Sequence, residues 1–319
     1  MRVLVTGASG FVGVNLLEAL VARGHEAIAY SGDAVPADAG LAGRITELTG
    51  DVCDSGALER LMRERRIEAV WHGAAITSGA EREKREAGRI VEVNLLATVR
   101  ALEAAARAGV RRFVYPSSSA VYGETAFGDG GPVAEDAPLR PMNLYGITKV
   151  AAEAAVLRLA PTLGLEACAG RINAVFGFWE RDTGLRDSLS PHLQLASFAR
   201  EGKEAVLASG AERDWVYAPD VAQAFVAMLE APAVPPLAMN ISMDRLWPLE
   251  TMARALPGLK WRYANAGGQT NLRYGGPIDR PRRALPPGRI RELLGWSPAL
   301  SPARAWADYA HRLSGRPGR

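Results

Sequence analysis

Short apolar runs alternate with longer amphipathic or alanine- and leucine-rich stretches through the first half of the chain. Continuous apolar runs of this length are typical of strands that are buried on both faces of a parallel sheet. Such runs predict strands at 2–6, 26–30, 44–50, 69–73, 112–117 and 165–171. The stretches between them predict helices at 11–23, 54–66, 88–108 and 145–160. Because strands and helices alternate, we expect right-handed crossovers and a doubly wound, parallel α/β sheet.

The alternation ends near residue 172, and proline- and glycine-rich stretches follow. They lie at 231–236, 257–258, 275–288 and 313–318. Between them the pattern predicts helices near 188–202, 219–230 and 287–295. We therefore interpret residues 1–172 as the sheet domain, to which helix 219–230 returns, and residues 173–319 as a smaller, irregular C-terminal lobe.

Composition argues against several classes of function. The 319 residues are 48% hydrophobic, and 34 of the 38 basic residues are arginines spread along the whole chain. Because no dense basic cluster with interleaved aromatics occurs, we expect no nucleic-acid partner. Cys53 and Cys168 lack metal-ligand spacing, so we expect no metal site, no disulfide framework and a reducing, cytoplasmic location. The chain opens on a predicted strand rather than a leader, and no run of 18 apolar residues predicts a membrane span.

A glycine-rich turn follows the first predicted strand and opens the first helix. In "VTGASGFVGVNLLEAL", Gly7, Gly10 and Gly13 form G-x-x-G-x-x-G, and Phe11 and Val12 begin the helix. Glycines at this spacing permit a tight turn, close approach of the backbone to a pyrophosphate and close packing of helix on strand. The helix N-terminus adds unpaired N–H groups and a positive dipole. We therefore expect a dinucleotide at these residues, in a Rossmann-type domain; the alternative is a turn without a ligand.

The choice between NAD and NADP stays open in the sequence. NAD-preferring sites commonly place an acidic residue about 20 residues after the glycines, where it binds the ribose hydroxyls. The second predicted strand instead ends at Ser31, which neither makes a bidentate carboxylate contact nor repels a 2′-phosphate, and Asp33 lies two residues later. After the third strand, Asp51 and Val52 are placed to fix the adenine edge, although Asp51 is equally consistent with a loop aspartate.

Tyr145 and Lys149 stand four residues apart in "LYGITKVAAEAA", at the start of a predicted helix. That spacing places both side chains on one helical face. A nearby ammonium group favours the phenolate, and so lowers the pKa of a tyrosine from about 10. A tyrosine pKa near 7 requires roughly 4 kcal/mol of differential stabilisation, which a desolvated cation beside a charged nicotinamide can supply. The pair therefore predicts a proton-transfer site.

Several motifs occur together in a fixed order: "GASGFVG", "DV" at 51–52, "HGAA" at 72–75, Asn94, "SSSAVYG", "YGITK" and "RDWVYAPDVA" at 213–222. In this order they resemble the extended short-chain dehydrogenase/reductase family, within the UDP-glucose 4-epimerase-like part of its NAD-dependent epimerase/dehydratase branch. The match runs from residue 1 to about 230, and "RIRELLGWSP" at 289–298 resembles the C-terminal helix of that branch. The resemblance implies NAD or NADP as the cofactor, with a slight preference for NAD.

The resemblance also implies roles for individual residues. Tyr145 would be the catalytic acid/base, Lys149 would lower its pKa and hold the nicotinamide ribose, and Ser118 would hydrogen-bond the reacting oxygen. Further contacts with the cofactor are implied for Gly73, Ala74, Ala75 and Asn94, the last as part of a proton relay. We expect His72 to be a core histidine, and Ser117 and Ser119 to bond local backbone groups.

The same resemblance narrows the reaction. Dehydratases of this branch usually carry an Asp-Glu pair just after the catalytic Ser or Thr, whereas this chain has Ser119-Ala120, so water elimination is disfavoured. Asn173 and Arg213 match the diphosphate contacts of the branch, and an arginine fork suits phosphate oxygens. Ser119 is a further candidate for binding substrate. Arg213 could instead pair with Asp214 or with another acidic residue at the surface.

A departure from the branch lies ahead of the C-terminal helix. The branch usually has an arginine there in "R-P-G-D/E", but this chain has Gly276 at that position and retains Asp279. Three nearby arginines could substitute for it: Arg280, Arg282 and Arg283. The charged segment "FWERDTGLRDSLSP" (178–191) could recognise a smaller anionic sugar.

We therefore expect an NAD(P)-dependent sugar-nucleotide epimerase of the UDP-hexose 4-epimerase type, working by transient oxidation to a keto intermediate. One alternative is an NAD(P)-dependent dehydrogenase or reductase of a free sugar, sugar acid or small hydroxy-carbonyl compound. A second is a non-catalytic dinucleotide-sensing protein, against which the retained Tyr145–Lys149 pair argues. The apolar faces of 88–108 and 145–160 predict a homodimer built as a helix bundle.

Overall fold

A seven-stranded sheet forms the centre of the computed structural model, which describes residues 1–184, 187, 189–209, 211–265, 268–274, 277–278 and 280–314. The strands are β1 (Arg2–Thr6), β2 (Glu26–Ser31), β3 (Thr46–Thr49), β4 (Ala69–His72), β5 (Arg112–Ser118), β6 (Glu166–Ile172), β7 (Ala174–Phe176), β8 (Glu204–Leu207), β9 (Glu212–Arg213), β10 (Trp215–Tyr217), β11 (Ala238–Ile241), β12 (Trp247–Pro248) and β13 (Lys260–Tyr263). The α-helices are α1 (Phe11–Ala22), α2 (Ser55–Glu64), α3 (Ala80–Val91), α4 (Ala97–Arg107), α5 (Leu144–Thr162), α6 (Pro191–Glu201), α7 (Ala218–Glu230), α8 (Glu250–Ala255), α9 (Gly288–Leu294) and α10 (Pro302–Ser314). Short 3₁₀ turns lie at Ala37–Ala39, Ser119–Val121 and Glu124–Ala126.

The strand order across the sheet is β11-β6-β5-β4-β1-β2-β3, and every neighbouring pair is parallel. The predicted doubly wound parallel sheet is therefore confirmed. All six predicted strands form, and their ends differ from the predicted ones by two residues or fewer. The order reverses between β1 and β4, which opens a crevice at the carboxyl ends of these strands.

Alternate residues of the strands contribute to two separate cores. Val3 and Val5 belong to the core that includes α1 and α7, whereas Leu4 belongs to the core that includes α2, α4 and α5. All three side chains are completely buried. This is the burial expected of parallel strands that are covered by helices on both faces, and it explains why these strands read as continuous apolar runs.

The helix predicted at 88–108 is wrong as a single α-helix. The structure instead has α3, a π-helical turn at Glu92–Leu96 and α4 in succession. The helices predicted near 219–230 and 287–295 form as α7 and α9, and the third forms as α6. Its predicted first residue, 188, lies outside the described residues. The sequence pattern did not predict α8 and α10.

Two elements from beyond residue 172 belong to the sheet layer. Strand β11 pairs with β6, and α7 packs on α1. The completely buried Arg112, at the start of β5, donates to the carbonyls of Leu229 and Ala231 at 2.7 and 2.6 Å. Because a cation is favourable at a helix C-terminus, Arg112 ties the end of α7 to the sheet. The division into domains at residue 172 stays a prediction.

The remaining elements after residue 172 are those predicted to form the smaller lobe. Among the described residues its strands pair two by two, β7 with β10, β8 with β13 and β9 with β12. Aromatic rings pack its interior, where His192 stacks on Phe176 with 4.4 Å between ring centroids. No described helix is long and apolar enough to cross a bilayer. The described residues contain no group of three or more side chains able to hold a metal ion.

Candidate active site

A cleft of about 1140 Å³ opens where β1, β2, β4, β5 and β6 end. Its walls include every residue predicted above to contact cofactor or substrate, with the exception of Asn94. Those residues are Gly7, Gly10, Phe11, Val12, Gly13, Ser31, Asp51, Val52, Gly73, Ala74, Ala75, Ser118, Ser119, Tyr145, Lys149, Asn173 and Arg213. The fold thus gathers residues that are distant in the chain, from Gly7 to Arg213, around one cavity.

The glycine turn between β1 and α1 is too crowded for side chains. Gly7 has φ +65°, and a Cβ there would lie 2.8 Å from the backbone of Ala74. A Cβ on Gly13 would lie 2.5 Å from the carbonyl oxygen of Gly7. The turn therefore requires glycine at both positions, and its bare backbone lets a ligand phosphate come close to the N-terminus of α1. These residues fit a dinucleotide pyrophosphate.

Acidic residues surround the end of the cleft beside β2 and β3. The Ser31 hydroxyl donates to the Asp33 carbonyl at 2.8 Å, and both residues line the cleft. The Asp51 carboxylate accepts from the Cys53 backbone N–H at 2.9 Å and from Arg89 at 3.1 Å. These hydrogen bonds, with the Cys53 amide as the largest cause, lower the pKa of Asp51. Arg89 ends the mixed-charge sequence "EREKREAGR" (81–89), a pattern typical of a solvated face, and the sequence therefore did not predict that Arg89 lines the cleft.

Tyr145 and Lys149 lie in the first turns of α5. The helix begins after Asn143, whose side chain accepts from the Gly146 N–H at 2.8 Å and caps the N-terminus. Lys149 is 4% exposed, and its Nζ donates to the Pro116 carbonyl at 2.8 Å. The same Nζ lies 5.8 Å from the centroid of the Tyr145 ring. Burial lowers the pKa of Lys149 to about 7. The predicted pair therefore meets in the cleft.

Serines at the end of β5 face the same cavity. The hydroxyl oxygen of Ser118 accepts from the Ala120 N–H at 3.2 Å and begins a 3₁₀ turn, which orients Ser118 and Ser119 into the cleft wall. The expectation for Ser117 is wrong. Its hydroxyl is buried and has no hydrogen-bond partner among the described residues, because the backbone around it is already paired in the sheet. It also lines the cleft.

Asn94 lies behind the cleft, in the π-helical turn. Its Oδ1 accepts from the Ile76 N–H at 2.8 Å, and its Nδ2 donates to the Ile76 carbonyl at 2.9 Å and to the Thr148 hydroxyl at 3.2 Å. The side chain thus ties the loop after β4 to α5, and its predicted contact with the cofactor stays a prediction. His72 is a core histidine, as expected: it is completely buried, and burial lowers its pKa to about 3.

Arg213, at the end of β9, lies in the cleft wall. It is 3% exposed and donates to the carbonyl of Pro277 at 2.6 Å and to a neighbouring carbonyl. Asp214 is not its partner, because that carboxylate accepts from the backbone N–H groups of Met243 and Leu285 at 2.8 and 3.1 Å. Burial raises the pKa of Asp214 to about 6.

A second arginine, Arg282, lies near Arg213 in the cleft wall. Arg282 lines the cavity, its guanidinium carbon lies 4.5 Å from the centroid of the Phe127 ring, and its buried Nε has no partner among the described residues. Burial and the nearby charge of Arg213 lower the pKa of Arg282 to about 9. Two adjacent cations form a site suited to an anion. Gly276, where the chain departs from the branch pattern, and the retained Asp279 lie outside the described residues.

Other residues of the cavity wall were not predicted as site residues. They include Asp33, Arg89, Phe127, Arg181, Trp215, Tyr274 and Arg282, of which Asp33, Arg282 and the segment that holds Arg181 were weighed as candidates. Trp215 follows Arg213 in "RDWVY", where strand alternation could have placed both side chains on one face. Arg89, Phe127 and Tyr274 reach the cavity through contacts distant in the chain, for which the sequence carries no signal.

Known proteins resemble this chain both in sequence and in fold. The model of the NAD dependent epimerase/dehydratase family matches residues 3–242. The UDP-glucose 4-epimerase of Mycolicibacterium smegmatis is 30% identical over 314 residues, which is 96% of each chain. The UDP-glucose 4-epimerase of Azospirillum brasilense is 29% identical over 315 residues, covering 93% of this chain and 87% of that protein.

One solved structure with this fold is the UDP-glucose 4-epimerase of Thermus thermophilus in complex with NAD. It has a TM-score of 0.83 and 27% identity, and the match covers 99% of each chain. Because the family model spans most of the chain and its motifs line one cleft, the predicted resemblance is confirmed. The chain belongs to the NAD-dependent epimerase/dehydratase family of extended short-chain dehydrogenases/reductases.

Proposed function

We propose that the protein is an NAD-dependent nucleotide-sugar epimerase of the UDP-hexose 4-epimerase type. One observation carries the proposal: a single cleft joins the glycine turn, the Tyr145–Lys149 pair and the Arg213–Arg282 pair. The glycine turn suits a dinucleotide, the Tyr145–Lys149 pair suits proton transfer, and the two arginines suit a diphosphate. The UDP-glucose 4-epimerases among its relatives support a UDP-hexose as the substrate.

The chain's own residues supply positioning and proton transfer. When bound, the nicotinamide supplies a hydride acceptor and donor at the reacting sugar carbon. Ser118 and Tyr145 hold the sugar hydroxyl oxygen, and the Tyr145 phenolate accepts its proton. The Lys149 ammonium favours the phenolate. After the keto sugar has rotated, Tyr145 returns the proton to the same oxygen, and the opposite configuration results.

The coenzyme preference follows from the acidic end of the cleft. Asp33 and Asp51 both line it, and each disfavours the extra charge of a 2′-phosphate. Arg89 does not offset them, because it bonds Asp51 at 3.1 Å and Glu92 at 2.8 Å. We therefore propose NAD rather than NADP as the cofactor.

A substrate panel tests the function. We expect purified protein to convert UDP-glucose into its C4 epimer, detected by chromatography, with no net formation of NADH. Thermal shifts with UDP-, GDP-, dTDP- and CDP-hexoses and free sugar acids, each with NAD or NADP, should single out UDP and NAD, since a selective ligand raises the melting temperature by mass action. Steady accumulation of reduced coenzyme would identify a dehydrogenase instead, and cofactor binding without turnover of any compound would identify a sensing protein.

Arg282→Gln should weaken binding of UDP. A hydrogen bond to a charged group contributes about 1.5–3 kcal/mol, so we expect the Kd for UDP to rise about 10- to 150-fold while the Kd for NAD stays unchanged. Calorimetry measures both. Arg283→Gln is the matched control, because Arg283 donates to the carbonyls of Gly131 and Thr125 outside the cleft. An equal loss of UDP and NAD affinity, or a larger loss in the control, would remove Arg282 from the diphosphate site.

The homodimer is proposed from apolar side chains that remain exposed on neighbouring helices. Val91 is 38%, Leu96 42% and Ile147 51% exposed, and the π-helical turn that holds Leu96 packs against α5, which holds Ile147. In light scattering we expect twice the chain mass of 34.1 kDa. The double variant Leu96→Glu/Ile147→Glu should have the mass of a single chain, because both carboxylates would have to be desolvated in the dimer interface. A concentration-independent monomer mass for the unchanged protein would contradict the proposal.

We also propose a cytoplasmic location. Cys53 and Cys168 are both free thiols in the structure. Reducing compartments keep thiols in this state.

A further inference from the structure

Described residues of the stretch after β7 contact both sides of the cleft. At one side, the Asn15 side chain on α1 donates to the Phe178 carbonyl at 3.0 Å. At the other, Asp187 accepts from Arg82 at 2.7 Å and from the Gly79 N–H at 2.5 Å. Both anchors lie on the first domain, on opposite sides of the crevice between β1 and β4. Phe178 therefore lies beside α1, whereas Gly184 and Asp187 lie beside α3.

Arg181 is the basic residue of this stretch. Its Nη2 donates to the carbonyl of Ser9, within the glycine turn, at 3.1 Å, and both residues line the cleft. Its Nε is buried and has no hydrogen-bond partner among the described residues. No carboxylate of the described chain lies within salt-bridge distance of its guanidinium. The group therefore carries a positive charge and an unused donor next to the phosphate-binding turn.

The other basic side chains of the cleft are already engaged elsewhere. Arg89 pairs with the Asp51 and Glu92 carboxylates, and Lys149 donates to the Pro116 carbonyl. Arg213 and Arg282 stand together at the opposite end. A pyrophosphate in the glycine turn carries two negative charges, which backbone N–H groups and a helix dipole neutralise only in part. Arg181 is the basic side chain in contact with that turn.

We propose that Arg181 binds the pyrophosphate of the dinucleotide from the C-terminal lobe. Its Nη2 remains on Ser9 and fixes the guanidinium, while its other N–H groups donate to phosphate oxygens. The lobe thereby becomes part of the cofactor site and not only of the substrate site. This inference depends on the class of cofactor, not on the proposed epimerase activity.

Calorimetry on Arg181→Gln tests the inference with three probes: NAD, ADP-ribose and adenosine. Adenosine lacks the pyrophosphate that the other two contain. We expect the Kd for NAD and for ADP-ribose to rise about 10- to 100-fold, and the Kd for adenosine to stay unchanged. Arg200→Gln, on the exposed surface of α6, is the matched control and should match the unchanged protein for all three.

Arg181→Lys covers the case in which the glutamine variant does not fold. It keeps the charge but loses the fork, so we expect a smaller loss, again confined to NAD and ADP-ribose. Unchanged NAD affinity in both folded variants would overturn the inference. A loss of UDP or UDP-glucuronate affinity with NAD affinity intact would also overturn it, and would place Arg181 in the substrate site. None of these measurements needs turnover, so they hold whether or not the chain is an epimerase.

Discussion

Tyr145→Phe should lower kcat by at least about 100-fold, the usual contribution of a general acid/base. The substitution removes one hydroxyl and leaves the ring, so α5 and its packing should persist. We expect the variant to melt like the unchanged protein and to bind NAD with the same Kd. Turnover is then lost while the fold and the NAD site survive, as expected of a group that is needed for the chemistry and not for folding or for NAD binding.

Tyr263→Phe is the matched control for that experiment. Tyr263 lies on β13, is 39% exposed and does not line the described cleft. The activity of Tyr263→Phe should equal that of the unchanged protein. Near-normal turnover of Tyr145→Phe would show that another group moves the proton, and the proposed mechanism would then be wrong.

Arg171→Met should lower the free energy of unfolding by about 3–5 kcal/mol, the cost of leaving one member of a buried ion pair alone. Arg171 on β6 and Glu153 on α5 are both buried, with 2.6 Å between Nη2 and Oε1. Arg171 also donates to the Tyr122 hydroxyl and to the Glu135 carbonyl, each at 2.8 Å. Methionine keeps much of the volume but leaves the Glu153 carboxylate in the core without a partner.

Chemical or thermal denaturation measures this loss. Arg158→Met is the control, because Arg158 is an exposed arginine on α5, and surface changes of this kind usually stay within about 0.5 kcal/mol. Arg171→Met with Glu153→Leu should recover much of the stability, since it removes both charges together. If Arg171→Met is no less stable than Arg158→Met, the pair does not support the catalytic helix.

The Arg171–Glu153 pair also affects the candidate active site, through the charge of Glu153. Glu153 follows Lys149 by one helical turn, and its charge acts to raise the pKa of Lys149 against the lowering by burial. Glu153, the acidic member of the pair that holds α5 on β6, therefore also helps to keep the ammonium charged. Loss of Arg171 is expected to disturb the position of Lys149 as well as the stability of the fold.

Much of the candidate site could be predicted from the sequence because its central parts are local. The glycine turn joins one strand to one helix within seven residues, and only glycine tolerates its backbone contacts. The Tyr145–Lys149 pair lies within one turn and a half of a single helix, so spacing alone placed both side chains on one face. Predictions from the resemblance placed Ser118 and Arg213 in the same cleft.

What the sequence determined by itself was the sheet class, its six central strands, the phosphate turn and the proton-transfer pair, since each is encoded in neighbouring residues. The tertiary structure alone decided that β11 joins the sheet, that Arg89 is held by Asp51, and that Asn94 ties a loop rather than lining the cleft. It also decided that Arg181 meets Ser9 across 172 positions of chain. Contacts of this kind depend on how distant elements pack, and spacing in a sequence carries no record of that packing.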